Sequence, residues 1–496
     1  MSAAGGGEHF DLAVIGSGPA GQKAAVQGAK AGRRVAVVER DAAVGGACVR
    51  RGTIPSKALR EAAVRRVDRR FWPGATDGIA PEDVEIGRLM RQLDRVVDAH
   101  SLYMQRQLDR NEVVRLHGKA RFASPHELIV RARDGSERRL RADVIVIATG
   151  SRPRAPSHVA IDHENVLDSD SILSLTYLPR SLTVLGGGVI ASEYASVLAK
   201  LGVAVTMVDE SDRPLRFLDR EVTERFLADF EASGGRYLGS RRAHRVSFDG
   251  VGTVHAELTD GDTLASDKLL VALGRVANVE GLDLAAAGLA LNERGVIPVD
   301  ASCRTIQPHI YAAGDVIGPP ALAATSMEQG RRAVCHAFGI PPGHPPELSP
   351  IGIYTIPEIA SVGIDQSEAV RRHGGALVGR ARFDEVARGQ ISGATSGFLK
   401  LVADARGERL LGAHVVGEGA TELIHVAQMA LVAHLPVDAF IENIFNFPTF
   451  AEAYRVAALD IAGRRARRDE PDLDAAVERA PARVGVRGCG TALGEP

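Results

Sequence analysis

Three glycines near the start of the sequence have a spacing that lets a backbone turn approach phosphate groups closely. Gly16, Gly18 and Gly21 form the pattern G-x-G-x-x-G. In such a turn the first glycine makes the tight bend, the second leaves room for a pyrophosphate, and the third lets the next helix pack on the preceding strand. The amide groups and the positive dipole end of that helix then face the phosphates. The pattern therefore predicts a dinucleotide site.

The elements that must position these glycines are also visible in the sequence. The apolar stretch Leu12–Ile15 predicts a strand, and the small residues after Pro19 predict a helix that Gly32 ends. A second apolar stretch, Val35–Val38, predicts the next strand, and Glu39 after it is placed to accept hydrogen bonds from ribose hydroxyls. A purely structural βαβ unit is the alternative interpretation, and the acid at the expected place argues against it.

The same pattern recurs in the middle of the chain. Gly186 and Gly188 take the first two positions, and Ala191 takes the third, where a small residue is tolerated. Asp209 closes this unit 23 residues after Gly186, which is the spacing between the first glycine and the acid of the first unit. We therefore expect the chain to bind two dinucleotides.

Two further apolar strands end in glycine turns. Val144–Pro153 contains Gly150, and Thr305–Gly318 contains Asp315, an acid placed to hold a ribityl or phosphate group. Each stretch alone is typical of an ordinary buried strand and turn. In this order, around the second βαβ unit, they predict an FAD-binding domain that is interrupted by an NAD(P)-binding domain.

Composition excludes several classes of function. A chain of 496 residues predicts two to four domains, and a net charge of −2 provides no field that would attract nucleic acid or a membrane surface. We interpret the arginine-rich runs 65–70 and 464–468 as solvated helix faces. The sequence has no secretory signal and no apolar stretch long enough to span a bilayer. Its four cysteines lie far apart without C-x-x-C, so we expect a cytoplasmic protein with no metal site and no disulfide framework.

Longer stretches resemble one family, the pyridine nucleotide–disulfide oxidoreductases, which include lipoamide dehydrogenase, glutathione reductase and mercuric reductase. Gly45–Leu59 (GGACVRRGTIPSKAL) resembles the flavin-facing helix of these enzymes, and Tyr311–Asp315 resembles their second FAD motif. Phe445–Leu459 (FNFPTFAEAYRVAAL) resembles the segment that reaches into the partner's active site in this dimeric family. The resemblance extends over about residues 8–463.

The resemblance implies an α/β fold with two Rossmann-like dinucleotide-binding domains and an α+β C-terminal dimerisation domain. It places FAD-binding segments at 1–150 and 276–345, the NAD(P)-binding domain at 151–275 and the dimerisation domain at 346–464, so that the chain forms a homodimer or a higher homo-oligomer. We expect residues 465–496 to form a disordered tail.

Site residues follow from the motifs and from the resemblance. The FAD site is expected to include Gly16, Gly18, Gly21, Glu39, Gly46, Thr53, Lys57, Gly150, Asp315 and Ala323. The site for the nicotinamide dinucleotide is expected to include Gly186, Gly188, Ala191, Glu193, Asp209 and Gly274. By the same resemblance, Lys57 pairs with Glu193 beside flavin N5 and serves catalysis, and the helix that begins near Ala321–Met327 directs its N-terminus at the flavin.

Two departures from the family decide the expected chemistry. Dithiol members have C-x4-C before I-P-S-K, whereas this chain has Cys48 and Thr53. They also have a histidine before Pro-Thr, whereas this chain has Phe447, so that Glu452 has no histidine to orient. In both departures the chain resembles one subgroup, the soluble, Si-specific pyridine nucleotide transhydrogenases. We therefore expect a ping-pong cycle through flavin N5 between NAD(H) and NADP(H), with Cys48 packed and redox-silent rather than a residual reactive thiol.

Nucleotide choice and three alternative functions stay open at this stage. Asp209 and Glu210 suit the free ribose of NAD(H) and repel the 2′-phosphate of NADP(H), unless Arg213 or Arg275 compensates. An NAD(P)H reductase of a quinone would use the same flavin site. Loss of the dithiol argues against a disulfide reductase, and the intact glycine turns argue against a non-enzymatic nucleotide sensor.

Overall fold

The computed structural model describes residues 8–68, 86–344 and 348–469. The chain divides into two units, of which the first comprises Met1–Gly363 and His414–Gln428 and the second comprises Ile364–Ala413 and Met429–Pro496. Among the described residues, no helix combines the length and the apolar composition that crossing a membrane requires.

The first unit alternates strands and helices in the order that the two glycine motifs predict. As far as Gly363 its elements are β1 (Glu8–Ile15), α1 (Pro19–Lys30), β2 (Val35–Glu39), α2 (Gly46–Arg50), α3 (Thr53–Asp68), α4 (Ile86–Arg110), β3 (Val114–His117), β4 (Lys119–Ser124), β5 (Glu127–Arg131), β6 (Glu137–Ile147), β7 (Ser151–Pro153), β8 (Val166–Asp168), β9 (Ser181–Leu185), α5 (Val189–Lys200), β10 (Ala204–Val208), α6 (Arg220–Ala232), β11 (Arg236–Leu238), β12 (Ala243–Phe248), β13 (Val254–Leu258), β14 (Thr263–Ser266), β15 (Lys268–Val271), β16 (Arg275–Ala277), β17 (Ile310–Ala312), α7 (Ala323–Ala337), β18 (Ile351–Ile353) and β19 (Ile359–Gly363).

The first glycine motif lies at the end of a central strand of a seven-stranded sheet. The order is β3-β2-β1-β6-β5-β4, with β17 also paired to β6. Strands β1, β2, β3, β6 and β17 run parallel, whereas β5 pairs antiparallel with both of its neighbours, β6 and β4. Alternate side chains of β1 enter two different apolar cores, with Ala13 and Ile15 in one and Leu12 and Val14 in the other. Because an apolar core covers each face of β1, the strand is a continuous run of apolar residues from Leu12 to Ile15.

Helix α1 is fixed by close contact with α7. At Gly330 of α7, a Cβ would clash with the backbone carbonyl of Ala20 in α1, so that only glycine allows the two helices to approach this closely. This contact holds the N-terminus of α1 at the carboxyl ends of the strands.

The second glycine motif lies at the end of β9 in a separate parallel sheet. Its order is β11-β10-β9-β15-β8, the arrangement in which a dinucleotide binds outside the carboxyl ends of the strands. Strands β12, β13 and β14 form an antiparallel sheet of their own, and β7 pairs with β16. An α/β fold with two dinucleotide-binding sheets is thus confirmed.

The remaining elements belong to the second unit, except for α10 and the end of β22. They are α8 (Gln366–His373), β20 (Ala376–Arg382), α9 (Ala387–Ser392), β21 (Phe398–Asp404), β22 (Leu410–Val416), α10 (Ala420–Val432), α11 (Ala439–Glu442) and α12 (Glu452–Asp469). Strand β20 pairs antiparallel with β21. At Gly379 of β20 a Cβ would clash with the Ala457 carbonyl of α12, so the helix lies directly on the strand.

The C-terminal helix crosses the expected boundary between the dimerisation domain and the tail. Helix α12 ends at Asp469, whereas the dimerisation domain was expected to end at 464. Two arginines of the 464–468 run pair with acids of the same unit, Arg464 with Asp460 and Arg465 with Asp438. The rest of the expected tail, from residue 470, lies outside the described residues, and so do residues 69 and 70 of the other arginine-rich run.

Candidate dinucleotide and hydride-transfer site

The two glycine turns share one backbone geometry. The amide of Gly16 donates to the Val38 carbonyl, and the amide of Gly186 donates to the Val208 carbonyl, both at 2.8 Å. Both glycines have positive φ, +102° and +116° respectively. A Cβ at either position would clash with a backbone carbonyl oxygen. Both turns therefore need glycine for reasons internal to the chain.

The second glycine of each turn is not required by the chain itself. A Cβ added at Gly18 would lie 4.0 Å from its nearest neighbour, and one added at Gly188 would have no atom within 4 Å. Each is the N-cap of its helix and has an ordinary negative φ. The open backbone at these helix N-termini fits a pyrophosphate group. At the third position, a Cβ on Gly21 would clash with the preceding turn, whereas Ala191 is accommodated and fully buried.

Ser17 joins the first glycine turn to the acid at the end of β2. Glu39 Oε2 accepts hydrogen bonds from the Ser17 amide at 3.0 Å and from the Ser17 hydroxyl at 2.5 Å. The Ser17 hydroxyl in turn accepts from the Gly45 amide at 3.1 Å. A Cβ on Gly46 would lie 3.0 Å from Gly18 Cα, so this segment rests on the phosphate turn. The sequence analysis named Glu39 and Gly46 as FAD-site residues but did not name Ser17. The position of Ser17 between Gly16 and Gly18 could have indicated its role.

Asp315 is held by a chain of hydrogen bonds across two glycine turns. Its Oδ2 accepts from the Ser151 hydroxyl at 2.6 Å, and that hydroxyl accepts from Arg275 Nε at 2.8 Å. Arg275 also donates to the Ser151 carbonyl at 2.9 Å. Gly150 and Gly274, with φ of +68° and +97°, precede these two residues. Arg275 is therefore engaged with Ser151 in this structure.

Helix α7 begins at the position that the resemblance implies. Its first residue is Ala323, and the N-cap Leu322 makes no side-chain hydrogen bond to the first turn. The Gly314 amide, just before Asp315, donates to Gln329 Oε1 of the same helix at 2.9 Å. Asp315 and the first turns of α7 are thereby fixed to one another.

The predicted contact between Lys57 and Glu193 is present. Lys57 Nζ lies 2.9 Å from Oε1 and 2.7 Å from Oε2 of Glu193, and Glu193 is only 6 % exposed. The Tyr354 amide donates to Glu193 Oε1 at 2.9 Å, and the Tyr354 ring centroid lies 5.0 Å from Lys57 Nζ. The carboxylate therefore holds the ammonium in one place, and Tyr354 supports both groups.

A second ion pair, whose side chains are 11 % and 12 % exposed, follows on the same helix. Arg60 Nη1 lies 2.9 Å from Glu358 Oε1, and Arg60 Nε donates to the Thr355 carbonyl at 3.1 Å. Glu358 also accepts from the Thr421 hydroxyl at 2.8 Å. Arg60 was missed by the sequence reasoning, although its position three residues after Lys57 places both on one face of α3. The two pairs together tie α3 to the segment around Tyr354.

Cys48 has no cysteine partner in the described part of the chain. Cys48, Cys303 and Cys335 are all free, and Cys489 lies outside the described residues. Burial raises the pKa of the Cys48 thiol above its usual value, although a hydrogen bond with Thr53 and the charge of Lys57 oppose the shift. Because the thiolate is the reactive form, a raised pKa makes this cysteine less nucleophilic at neutral pH.

The residues that replace the family's acid–base pair lie in the second unit. Phe447 is 70 % exposed in this single chain. Glu452 accepts a hydrogen bond from the Thr449 amide at 3.4 Å. The carboxylate that orients a histidine in dithiol relatives therefore contacts its own helix N-terminus here.

Asp209 occupies the expected place at the second glycine turn. A Cβ on Gly187 would lie 2.8 Å from Asp209 Oδ2, while Oδ1 accepts from the Ser211 amide at 3.0 Å. Arg213, the other arginine that could compensate a 2′-phosphate, donates to the Thr223 hydroxyl of α6 at 3.1 Å and to nearby backbone carbonyls.

Comparison with known proteins agrees with this geometry. The family model for the pyridine nucleotide-disulphide oxidoreductases matches residues 10–330, and the model for their dimerisation domain matches residues 349–458. Two similar proteins, from Mycobacterium bovis (strain BCG / Pasteur 1173P2) and Vibrio vulnificus (strain YJ016), are both named soluble pyridine nucleotide transhydrogenase. The first is 43 % identical, covering 92 % of this chain and 98 % of its own, and the second is 41 % identical, covering 91 % and 98 %.

Solved structures show the same fold. LpdA from Mycobacterium tuberculosis is 29 % identical with a TM-score of 0.83, covering 91 % of this chain and 99 % of its own. The HOCl-induced flavoprotein disulfide reductase RclA from Escherichia coli is 28 % identical with a TM-score of 0.81 and the same coverage. Motifs, fold, family models, similar proteins and solved structures all agree that the chain belongs to the pyridine nucleotide-disulphide oxidoreductases.

Proposed function

We propose that this oxidoreductase transfers hydride between NAD(H) and NADP(H) through bound FAD, by a ping-pong cycle and without a redox-active disulfide. One observation carries the proposal. Cys48 has a threonine, Thr53, as its hydrogen-bond partner where dithiol relatives have a second cysteine, and the Lys57–Glu193 ion pair lies nearby. Relatives at 43 % and 41 % identity are named soluble pyridine nucleotide transhydrogenase, which supports the same reaction.

The first glycine turn and its surroundings fit FAD. The open face of Gly18 would admit the pyrophosphate, Glu39 would accept from ribose hydroxyls, and Asp315 would bind the ribityl or phosphate portion. Gly46, Thr53, Gly150 and Ala323 would complete this site. When bound, FAD supplies a ring system that takes up a hydride and gives it back. Gly186, Gly188, Ala191, Asp209 and Gly274 would bind the nicotinamide dinucleotide.

Lys57 and Glu193 would set the charge beside the ring system. A cation that is already fixed favours the negative charge that arrives with a hydride, because no reorganisation is needed at the moment of transfer. Glu193 keeps the Lys57 ammonium fixed through contacts of 2.7 and 2.9 Å. These two residues are the proposed catalytic residues.

Because Cys48 is a lone thiol, reduced flavin cannot pass its electrons to a disulfide substrate through the protein. A relay to a disulfide substrate needs two sulfurs, and Thr53 offers a hydroxyl that cannot be oxidised in this way. The nicotinamide that delivers a hydride must therefore depart and be replaced by the one that collects it. We further propose that the chain forms a homodimer or a higher homo-oligomer, which its dimerisation domain supports, and that it acts in the cytoplasm.

A two-part assay tests this function. NADPH with thio-NAD⁺ is measured in one cuvette, and NADH with a soluble quinone in another. We expect rapid reduction of thio-NAD⁺. Activity confined to the quinone would replace the proposal with an NAD(P)H–quinone reductase, and a flavin that neither nucleotide bleaches would replace it with a nucleotide sensor.

The cysteine gives a further prediction. Replacing Cys48 with Ser is expected to leave thio-NAD⁺ reduction within about twofold of the unaltered protein, because a hydroxyl can keep the contact with Thr53. Steady-state rates at saturating nucleotide provide the measurement, and the flavin content of each preparation serves as the control. Loss of most of the turnover at full flavin content would overturn the mechanism without a thiol.

A further inference from the structure

We propose that Arg242 admits the 2′-phosphate of NADP(H) to the second dinucleotide site, and that Glu210 holds this arginine when NAD(H) is bound. The inference rests on the proposed function, because a transhydrogenase must accept both nucleotides. Arg242 would resolve the conflict between an acidic ribose site and a phosphorylated ribose.

The fold brings Arg242 to the ribose end of the site. Strands β10 and β11 are parallel neighbours, with Val208 opposite Leu238, so both end at the edge of the sheet where dinucleotides bind. Asp209 directly follows β10, and Arg242 lies in the short connection that follows β11. The amide of the adjacent residue, Arg241, donates to the Asp209 carbonyl at 2.9 Å. The connection is therefore fixed directly beside the acid.

The site needs a cation that is free to move. The carboxylates of Asp209 and Glu210 would repel a 2′-phosphate, which carries nearly two negative charges at neutral pH. Arg213 and Arg275 are engaged with hydroxyl and carbonyl groups, as described above. Arg241 pairs with two acids, Asp260 at 3.1 Å and Asp262 at 2.7 Å.

Arg242 differs from these arginines in its weak and exposed contact. Its Nε lies 3.4 Å from Glu210 Oε1, and the two side chains are 59 % and 70 % exposed. An exposed pair of this kind contributes little stability and exchanges its partner readily. A guanidinium also binds a phosphate through two parallel hydrogen bonds, which are stronger than one long contact with a carboxylate.

The exchange explains how one site accepts both nucleotides. With NAD(H), Arg242 stays on Glu210, and Asp209 accepts hydrogen bonds from the free ribose hydroxyls. With NADP(H), Arg242 leaves Glu210 for the phosphate and offsets the repulsion from the two acids. Specificity is thus broadened by one mobile guanidinium.

Calorimetric titration of the FAD-loaded protein tests the inference without turnover. The probes are adenosine 2′,5′-bisphosphate and AMP, which differ only in the 2′-phosphate. Arg242→Ala is expected to weaken binding of the bisphosphate by about ten- to a hundredfold, the range that charge-assisted hydrogen bonds cover, and to change AMP binding by less than about twofold. Glu210→Gln is expected to strengthen bisphosphate binding and leave AMP unchanged.

The chain offers a matched control in Arg245→Ala. Arg245 also forms an exposed pair with a glutamate, Glu257, at 3.3 Å, but on β12. This variant should change the binding of neither probe. Equal effects of Arg242→Ala on both probes, or no effect on either, would overturn the inference. A third outcome separates the inference from the proposed function. If Arg242→Ala selectively loses bisphosphate binding but the unaltered protein has no NADPH–thio-NAD⁺ activity, the inference is supported and the proposed function is rejected.

Discussion

Replacing Lys57 with Met is expected to lower the rate at which NADH bleaches the bound flavin by about a hundredfold or more, the size of effect seen when a preorganised charge is removed from a reacting centre. Lys57 Nζ lies 2.7 and 2.9 Å from the Glu193 oxygens and is thereby fixed before any hydride moves. The FAD itself should stay bound, because the phosphate turn is untouched. Stopped-flow absorbance under anaerobic conditions measures the bleaching.

Two controls separate chemistry from stability in this experiment. Glu193 is 6 % exposed, and a buried carboxylate without its cation destabilises a protein by about 3–5 kcal/mol. The double variant Lys57→Met with Glu193→Gln removes both charges, so it should regain stability without regaining hydride transfer. Arg65→Met, on the same helix but 70 % exposed at its side chain, should change neither property. An unaltered bleaching rate in Lys57→Met would contradict the proposed role.

The second large effect is expected from one substitution made in each glycine turn. Gly18→Ala should yield folded protein with little or no FAD, because its Cβ meets no atom of the chain closer than 4.0 Å but would project into the proposed pyrophosphate site. Gly188→Ala should retain FAD, while NADH reduces it at least about tenfold more slowly. The ratio of flavin to protein absorbance and the stopped-flow rate provide the two measurements.

The pair of glycine variants distinguishes the two sites from each other. Gly463→Ala, at an open position of α12, is the control and should leave flavin content and reduction rate unchanged. Loss of FAD in both variants, or in neither, would show that the two turns do not serve different dinucleotides.

The glycine turns could be predicted from the sequence because their steric demands leave few residue choices. Gly16 and Gly186 have positive φ and no room for a side chain, so the chain order and the residue type together define the turn. The apolar runs before them predicted the two central strands for the same reason.

Contacts between distant residues were harder to predict. The Lys57–Glu193 pair joins residues 136 positions apart and was expected only because the chain resembles a family. The bond from Ser151 to Asp315 spans 164 positions, and no local pattern signals it. Arg275 shows the same limit, since the sequence gives its charge and its neighbours in the chain but not the direction of its guanidinium. The sequence shows which groups exist, and the packing of helices and strands decides which of them come into contact.

Anaerobic reductive titration of the FAD-loaded protein is the most direct test of the central claim, that FAD is the only electron store. We predict that two electrons per subunit reduce the protein completely, with no long-wavelength charge-transfer band at half-reduction, because Thr53 takes the place of a second thiol and Cys48 is a free cysteine. Uptake of four electrons per subunit, with a thiolate-to-flavin band at the midpoint, would contradict the account.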